Sequence, residues 1–410
     1  MDQEHSPGIL SVGSSALVST REDQAPPVFT PPPGSPRFPL VDGLRALAAV
    51  TILIYHAAFL SGYVQFGRLG SWASNLNVGV TIFFVISGFL IYRPYVRAQL
   101  AGTKGPALTR FYRRRLLRIV PAYWVALTLL SLYPGSTDTF ADWPKFYFFL
   151  QVYTPSPPHE GLFQAWSLCV EMSFYLLLPF YAMIIGTCFK ARSAAVRVRS
   201  ELALLALLSA GSAIATYVWS DGALSPLVQG LPRFMFWFAL GMGLAIVSVR
   251  VEQRQSQPRW VAALDGRLGR CWALALALFI VLGAVTQVPT DGISFAPKIA
   301  LIQWAAGGVI ALLIVLPAVF SSSTRSFGAR VLRWRPIVWL GLVSYGLFLW
   351  QAGPLLIIVN QQWISSGHWV VRFVEFAALA IALTVPLAAL SYYLIERPFL
   401  RLKDPRRKPA

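Results

Sequence analysis

The sequence predicts an all-α fold, a polytopic integral membrane helical bundle of about ten transmembrane helices with both termini cytoplasmic. Three observations carry this. Of 410 residues, 56% are hydrophobic and only 13% charged, about half the charged share of a soluble domain. Apolar runs recur at a length that suits a hydrocarbon core, which needs about 20 residues per helix. Cations fall almost entirely in alternate connections between those runs, as the positive-inside rule describes.

The runs lie near 41–61, 75–92, 119–134, 166–187, 201–220, 231–249, 271–288, 298–320, 337–359 and 373–395. Assigning alternate connections to one side gives that side 29 of the 35 Lys and Arg, in clusters such as Arg93–Arg118, Arg250–Arg270 and Arg397–Lys408. The other side receives Arg68, Lys145, Arg233, Lys298 and Arg372, and Arg45 lies within a run. The net charge of +18 therefore reports topology and attraction to anionic lipid headgroups; it does not point to nucleic acid. Cys169, Cys188 and Cys271 lie in or beside apolar runs without CxxC or Cys/His spacing, so free buried thiols and no metal site are expected.

Residues 1–36 are rich in Pro, Ser and Thr and lack a long apolar periodicity, which reads as a disordered cytoplasmic tail. The run Gly8–Val18 follows acidic residues rather than a cationic segment, so no signal peptide is expected. Residues 37–400 form the transmembrane domain and 401–410 a basic cytoplasmic tail, with no appended soluble domain expected. The longest outer connection, 135–165, carries Asp138, Asp142, Trp143, Tyr147, Tyr153, His159 and Glu160. It reads either as a lid or rim for a polar ligand or as an interfacial amphipathic segment. No internal repeat of the kind found in many transporters is evident.

Ionisable groups inside a span are costly and usually face a bundle interior or a wet cavity. The first span, VDGLRALAAVTILIYHAAF, contains Asp42, Arg45 and His56. Eleven residues at about 100° each place Arg45 and His56 on one helix face, about 16 Å apart along the axis. Asp42 either pairs with Arg45 one turn away or occupies a helix N-terminus that favours an anion. The fourth span carries Glu171, which matches the depth of His56 below the outer boundary at about 7 to 8 Å. If those helices face each other, Glu171 orients His56 as a general base. The alternatives are a neutral imidazole hydrogen-bonded to a neighbouring helix and a carboxyl that merely joins two helices. A second cluster, Arg110, Arg113, Arg114, Arg115 and Arg118, precedes the third span. Guanidinium groups at a cavity mouth can clamp phosphates, or they can act as an ordinary cytoplasmic anchor snorkelling to lipid phosphate.

Together these segments resemble the membrane acyltransferase type 3 family, which includes bacterial O-antigen O-acetylases. The matching elements are Asp42-Gly43-Leu44-Arg45 with His56, Phe83 to Leu90 around Ser87-Gly88, and Arg114-Arg115 with Arg118 and Pro121. Trp166-Ser167-Leu168 with Glu171 and Phe174-Tyr175, then Ser344-Tyr345-Gly346 and Glu396-Arg397-Pro398, complete the series in register. The resemblance implies an acyl-CoA donor, acetyl-CoA in the usual case, with no bound cofactor. It also implies an acceptor hydroxyl on an envelope carbohydrate, glycolipid or secondary metabolite, and a multi-pass location in the cell membrane. Carried over, it makes His56 the catalytic histidine, Arg45 its companion near the donor, and Arg114, Arg115 and Arg118 donor-binding residues, with Glu171 at the family position. Asp42, Ser87, Tyr345 and Gln351 join them as candidates around the substrates. Many members end the ninth-span pattern in histidine, whereas this chain reads SYGLFLWQ and supplies Gln351. Gln351 can hydrogen-bond a substrate but cannot shuttle a proton as histidine does. The rival reading is a transporter or flippase in which Arg45, His56 and Glu171 line a substrate or proton path.

Overall fold

In lipid, a segment must pair its own backbone polar groups, and a helix is the way a single segment does so. The computed structural model describes residues 38, 40–132, 143–154, 160–220, 230–253, 258, 259, 261, 268–286, 296–320, 326–364 and 367–403. Among these the regular secondary structure is all helical, without strands. The expected 1–36 tail, the C-terminal tail from 404 onward and the loop residues Asp138, Asp142 and His159 lie outside the described residues.

The principal helices are α1 (Val41–Leu60), α2 (Val78–Leu100), α3 (Leu108–Ser131), α4 (Trp166–Cys188), α5 (Ala194–Ser220), α6 (Leu231–Glu252), α7 (Leu268–Val285) and α8 (Pro297–Phe320). They are followed by α9 (Arg335–Leu342), α10 (Ser344–Trp350), α11 (Ala352–Asn360), α12 (Trp369–Ser391), a π-helical turn (Tyr392–Glu396) and α13 (Arg397–Arg401). Among the described residues, seven helical segments are long and apolar enough to cross a membrane, or eight if the pair formed by α9 and the helix Ser344–Asn360, bent by 57°, is one span. The expectation of about ten is thus reached in part. Helix α3 falls short because its first half carries Arg110, Arg113, Arg114, Arg115 and Arg118, and the apolar stretch Gly269–Val285 is short. The ninth expected span is a broken helix rather than a regular one. The three cysteines are free, but only Cys169 is buried; Cys188 is exposed and Cys271 half-buried. An apolar side chain can face lipid as well as core, so hydropathy alone does not assign burial.

Lipid tails are as apolar as leucine, so helices associate through close packing and polar contacts rather than through expulsion of water. A close crossing joins α2 and α6. A Cβ added at Gly88 would strike the backbone oxygen of Phe238, and one added at Gly241 would strike that of Val85. Across this crossing, Phe84 stacks on Phe238 at 4.5 Å between ring centroids, and Phe174 of α4 stacks on Phe238 at 4.1 Å. Such ring pairs contribute about 0.5–1.5 kcal/mol each beyond their area. At one end of α2, the Arg93 guanidinium donates to Ser248 at 3.1 Å and pairs with Glu252 of α6, which also receives Arg97 at 2.8 Å. Tyr92 donates to the buried carboxyl of Glu201 on α5. Three helices are thus tied by polar contacts at the same end.

Two tyrosines of the 135–165 connection bond helices α3 and α4. Tyr153 donates to Ser173 at 2.8 Å, and the Tyr147 hydroxyl lies 2.6 Å from that of Thr128. We predict that Gly241→Val, which forces α2 and α6 apart, lowers stability by about 1–3 kcal/mol or more. Thermal or detergent unfolding of the purified protein measures this, and an unchanged midpoint would mean that the crossing tolerates a side chain.

Candidate active site

Helices α1, α2, α3, α4 and α10 enclose a cavity of about 180 Å³. One part of its wall is polar. Helix α1 contributes Arg45, α2 Ser87, α3 Arg115 and Arg118, α4 Glu171 and Tyr175, and α10 Tyr345. Local spacing puts these groups on common faces: Arg115 and Arg118 are three residues apart, and Glu171 and Tyr175 four apart. Ser167 and Ser344 are further polar members, and the rest of the wall is apolar, including Ile52, Phe83, Phe84 and Phe348.

Glu171 organises the polar part. The hydroxyls of Ser87 and Tyr175 both donate to its Oε1, so a carboxyl in the bundle is met by two fixed donors, one from α2 and one from its own helix. The Arg115 guanidinium lies over the Tyr175 ring, 5.6 Å from its centroid. Arg45 and Arg115 are both within electrostatic reach of Glu171. Yet Nε of Arg45 and Nε of Arg115 are buried and have no hydrogen-bond partner among the described residues. The wall therefore holds three guanidinium groups against one carboxyl, with donor capacity left over. Arrangements of this kind suit an anionic or strongly hydrogen-bonding ligand.

Tyr345 also fixes the wall, donating its hydroxyl to the backbone oxygen of Ile119 at 2.8 Å, which locks α10 against α3. Glu396 stands behind the cavity in the π-helical turn. It is 4% exposed, its Oε1 has no hydrogen-bond partner among the described residues, and Arg118 and Arg45 lie within its electrostatic reach. Single π-helical turns of this type often occur at functional sites.

His56 is placed differently from the expectation. It shares α1 with Arg45, but the cavity wall ends on that helix at Ile52, one turn and about 6 Å short of His56. The imidazole is 9% exposed. Its Nδ1 lies 3.0 Å from Oε1 of Gln351, and its ring packs edge-on to Phe163 at 4.9 Å between centroids. The anticipated hydrogen bond between His56 and Glu171 is therefore replaced by two separate pairings, His56 with Gln351 and Glu171 with Ser87 and Tyr175. Equal depth on two helices does not determine their rotation about their own axes, and rotation decides which side chains meet.

Three other candidates also move. Of the three arginines named together, Arg114 is exposed and off the wall, while Arg115 and Arg118 both line the cavity. Asp42 is not part of the wall, although it acts on Arg45 electrostatically from one turn away. Gln351 is fully buried, and both ends of its amide are engaged by the protein, so it is not a wall residue. Reasoning from the sequence missed Tyr175 and Glu396 as site residues. The i, i+4 spacing from Glu171 could have found Tyr175. No local signal marks Gln164, whose Nε2 reaches the backbone oxygens of Phe348 and Leu349 across the fold, both at 3.0 Å.

Comparison with known proteins bears on this site. A family profile described as an acyltransferase domain matches residues 38–393. The O-acetyltransferase OatA of Staphylococcus aureus (strain NCTC 8325 / PS 47) is 29% identical over 400 residues, covering 89% of this chain and 57% of that protein. The peptidoglycan O-acetyltransferase OatA of Listeria monocytogenes is 27% identical over 380 residues, covering 88% of this chain and 55% of that protein. YrhL of Bacillus subtilis (strain 168) is 27% identical over 383 residues, covering 88% of this chain and 54% of that protein. The chain thus spans about half the length of these relatives. No solved structure matches it. The profile covers every residue that lines the cavity, from Arg45 to Phe348, and this multi-pass membrane protein belongs to the membrane acyltransferase type 3 family.

Proposed function

We propose that this protein is an O-acyltransferase of the cell membrane that moves an acyl group, acetyl in the first instance, from acyl-CoA to a hydroxyl of an envelope polysaccharide. The names of the relatives make peptidoglycan the first acceptor to test. One observation carries the reading: three arginines from two helices face a single cavity whose apolar extension reaches Ile52, one helical turn before His56. Arg45, Arg115 and Arg118 supply donors for the anionic or carbonyl-rich part of the donor. The apolar wall of Ile52, Phe83, Phe84 and Phe348 suits the acyl end of a thioester.

In the reaction, Nε2 of His56 accepts the proton of the acceptor hydroxyl while its oxygen attacks the thioester carbonyl. The new C–O bond forms, the C–S bond breaks, and the departing thiolate recovers the proton from the imidazolium. Acyl transfer through His56 itself, with hydroxyl attack in a second step, uses the same groups and gives ping-pong kinetics. Glu171, held by Ser87 and Tyr175, keeps the arginine side chains ordered around the donor.

Full-length protein in lipid nanodiscs, supplied with labelled acetyl-CoA and glycan strands, is expected to form acylated glycan. His56→Ala should lower kcat about 10²- to 10⁴-fold, the usual contribution of a positioned base, with the protein still folded. Undiminished transfer would remove His56 from the reaction, and movement of a lipid-linked sugar without any acylated product would favour transport. Arg118→Ala is expected to raise the KM for acyl-CoA about tenfold or more, the loss of one charge-assisted hydrogen bond, while the KM for the glycan stays close to wild type. Equal effects on both substrates would place Arg118 outside the donor site. In a Ser87→Ala, Tyr175→Phe double-mutant cycle, the two substitutions should be non-additive by about 0.5 kcal/mol or more, because both hydroxyls serve the same carboxyl oxygen. Strict additivity in thermal unfolding would mean that the two donors act independently.

A further inference from the structure

We propose that Gln351 is a positioning residue that sets the tautomer of His56, holding the ring proton on Nδ1 and leaving the Nε2 lone pair as the reactive one. The consequence for catalysis rests on the acyltransferase reading above; the tautomer itself does not.

The argument turns on which way the Gln351 amide points. Its oxygen and nitrogen have nearly the same size and shape, so the hydrogen-bond partners must decide between them. Nε2 lies 2.9 Å from the backbone oxygen of Phe348. A carbonyl oxygen can only accept, so the amide end facing it must be the NH2 group. The flipped arrangement would set two carbonyl oxygens against each other in a fully buried place, because Gln351 has no exposed surface. Phe348 is confirmed as an acceptor from another direction, since Gln164 Nε2 donates to the same oxygen at 3.0 Å.

With the NH2 group committed, the oxygen Oε1 is the atom 3.0 Å from Nδ1 of His56. That oxygen can only accept, so Nδ1 must donate. A neutral imidazole carries one N–H, and Nε2 is then unprotonated, able to take a proton or an acyl group. The ring also packs edge-on against Phe163. The helix break contributes as well: α10 ends at Trp350 and α11 begins at Ala352, which places Gln351 at the junction. From there its side chain returns to the carbonyl of its own preceding turn and also reaches α1.

A carboxylate in this position would stabilise the imidazolium as well as fix the tautomer. The neutral amide oxygen fixes the tautomer and accepts from Nδ1 without bringing a full negative charge to the ring. In this chain the ring is therefore oriented without an added negative charge, and the cationic form is left to the reaction itself.

The test uses full-length protein in lipid nanodiscs labelled with ¹⁵N-histidine, with the His56 resonances assigned by their loss in His56→Gln. In alkaline buffer the wild type should show a protonated Nδ1 and a bare Nε2, a result that needs no substitution at Gln351. Gln351→Met keeps the volume and removes the acceptor. It should abolish the tautomer preference and lower kcat about 10- to 100-fold, as loss of an orienting partner does, with the KM for acyl-CoA near wild type. A wild-type proton on Nε2, or a Gln351→Met protein with unchanged tautomer and kcat, overturns the proposal. Full activity in His56→Ala would instead overturn the catalytic reading while leaving the tautomer assignment standing, so the two failures are distinguishable.

Discussion

The arrangement around Glu171 depends on a single constraint: charged side chains within an apolar bundle must find one another or a polar ligand. Arg45 enters from α1, Arg115 and Arg118 from α3, and Glu171 from α4, and all four reach one cavity. Their convergence draws in the hydroxyls of Ser87 and Tyr175, which bond the carboxyl, and the electrostatic partnership of Glu396. Removing any one of these groups would leave another charge or acceptor in the bundle short of compensation, which is costlier than the loss of a surface contact.

The close crossing of α2 and α6 gives this cluster its rigid backing. Ser87 and Gly88 are neighbours in sequence, yet about 100° of helix rotation separates their directions. Gly88 turns toward the backbone of Phe238 and permits near contact, while Ser87 turns toward Glu171. The Phe84–Phe238–Phe174 stack then carries the same contact on to α4, the helix that bears the carboxyl. Packing and site geometry are therefore two faces of the same short segment of α2.

Irregular backbone collects where the polar groups gather. The bend between α9 and α10 borders the cavity at Ser344, the junction at Gln351 meets His56, and the π-helical turn ends at Glu396, within electrostatic reach of Arg45 and Arg118. A straight helix presents side chains in a fixed rotation, whereas each of these breaks resets it. Gln351 can serve α1 and its own preceding turn only because it stands at such a break.

By itself, the sequence determined the helical membrane class, the location of most helices and the residues that would be chemically unusual. These follow from local quantities: apolar run length, charge inside a run, and spacing of three, four or eleven residues along one helix. Thus Arg45, His56 and Glu171 could be singled out before any fold was known. Their partners were a different matter. His56 meets Gln351, 295 positions away, and Glu171 meets Ser87, 84 positions away, while Arg115 rather than Arg114 faces the cavity. Only the tertiary structure decided these, because the rotation of each helix about its axis and the bend at Val343 are set by packing against neighbours, and no local periodicity encodes either.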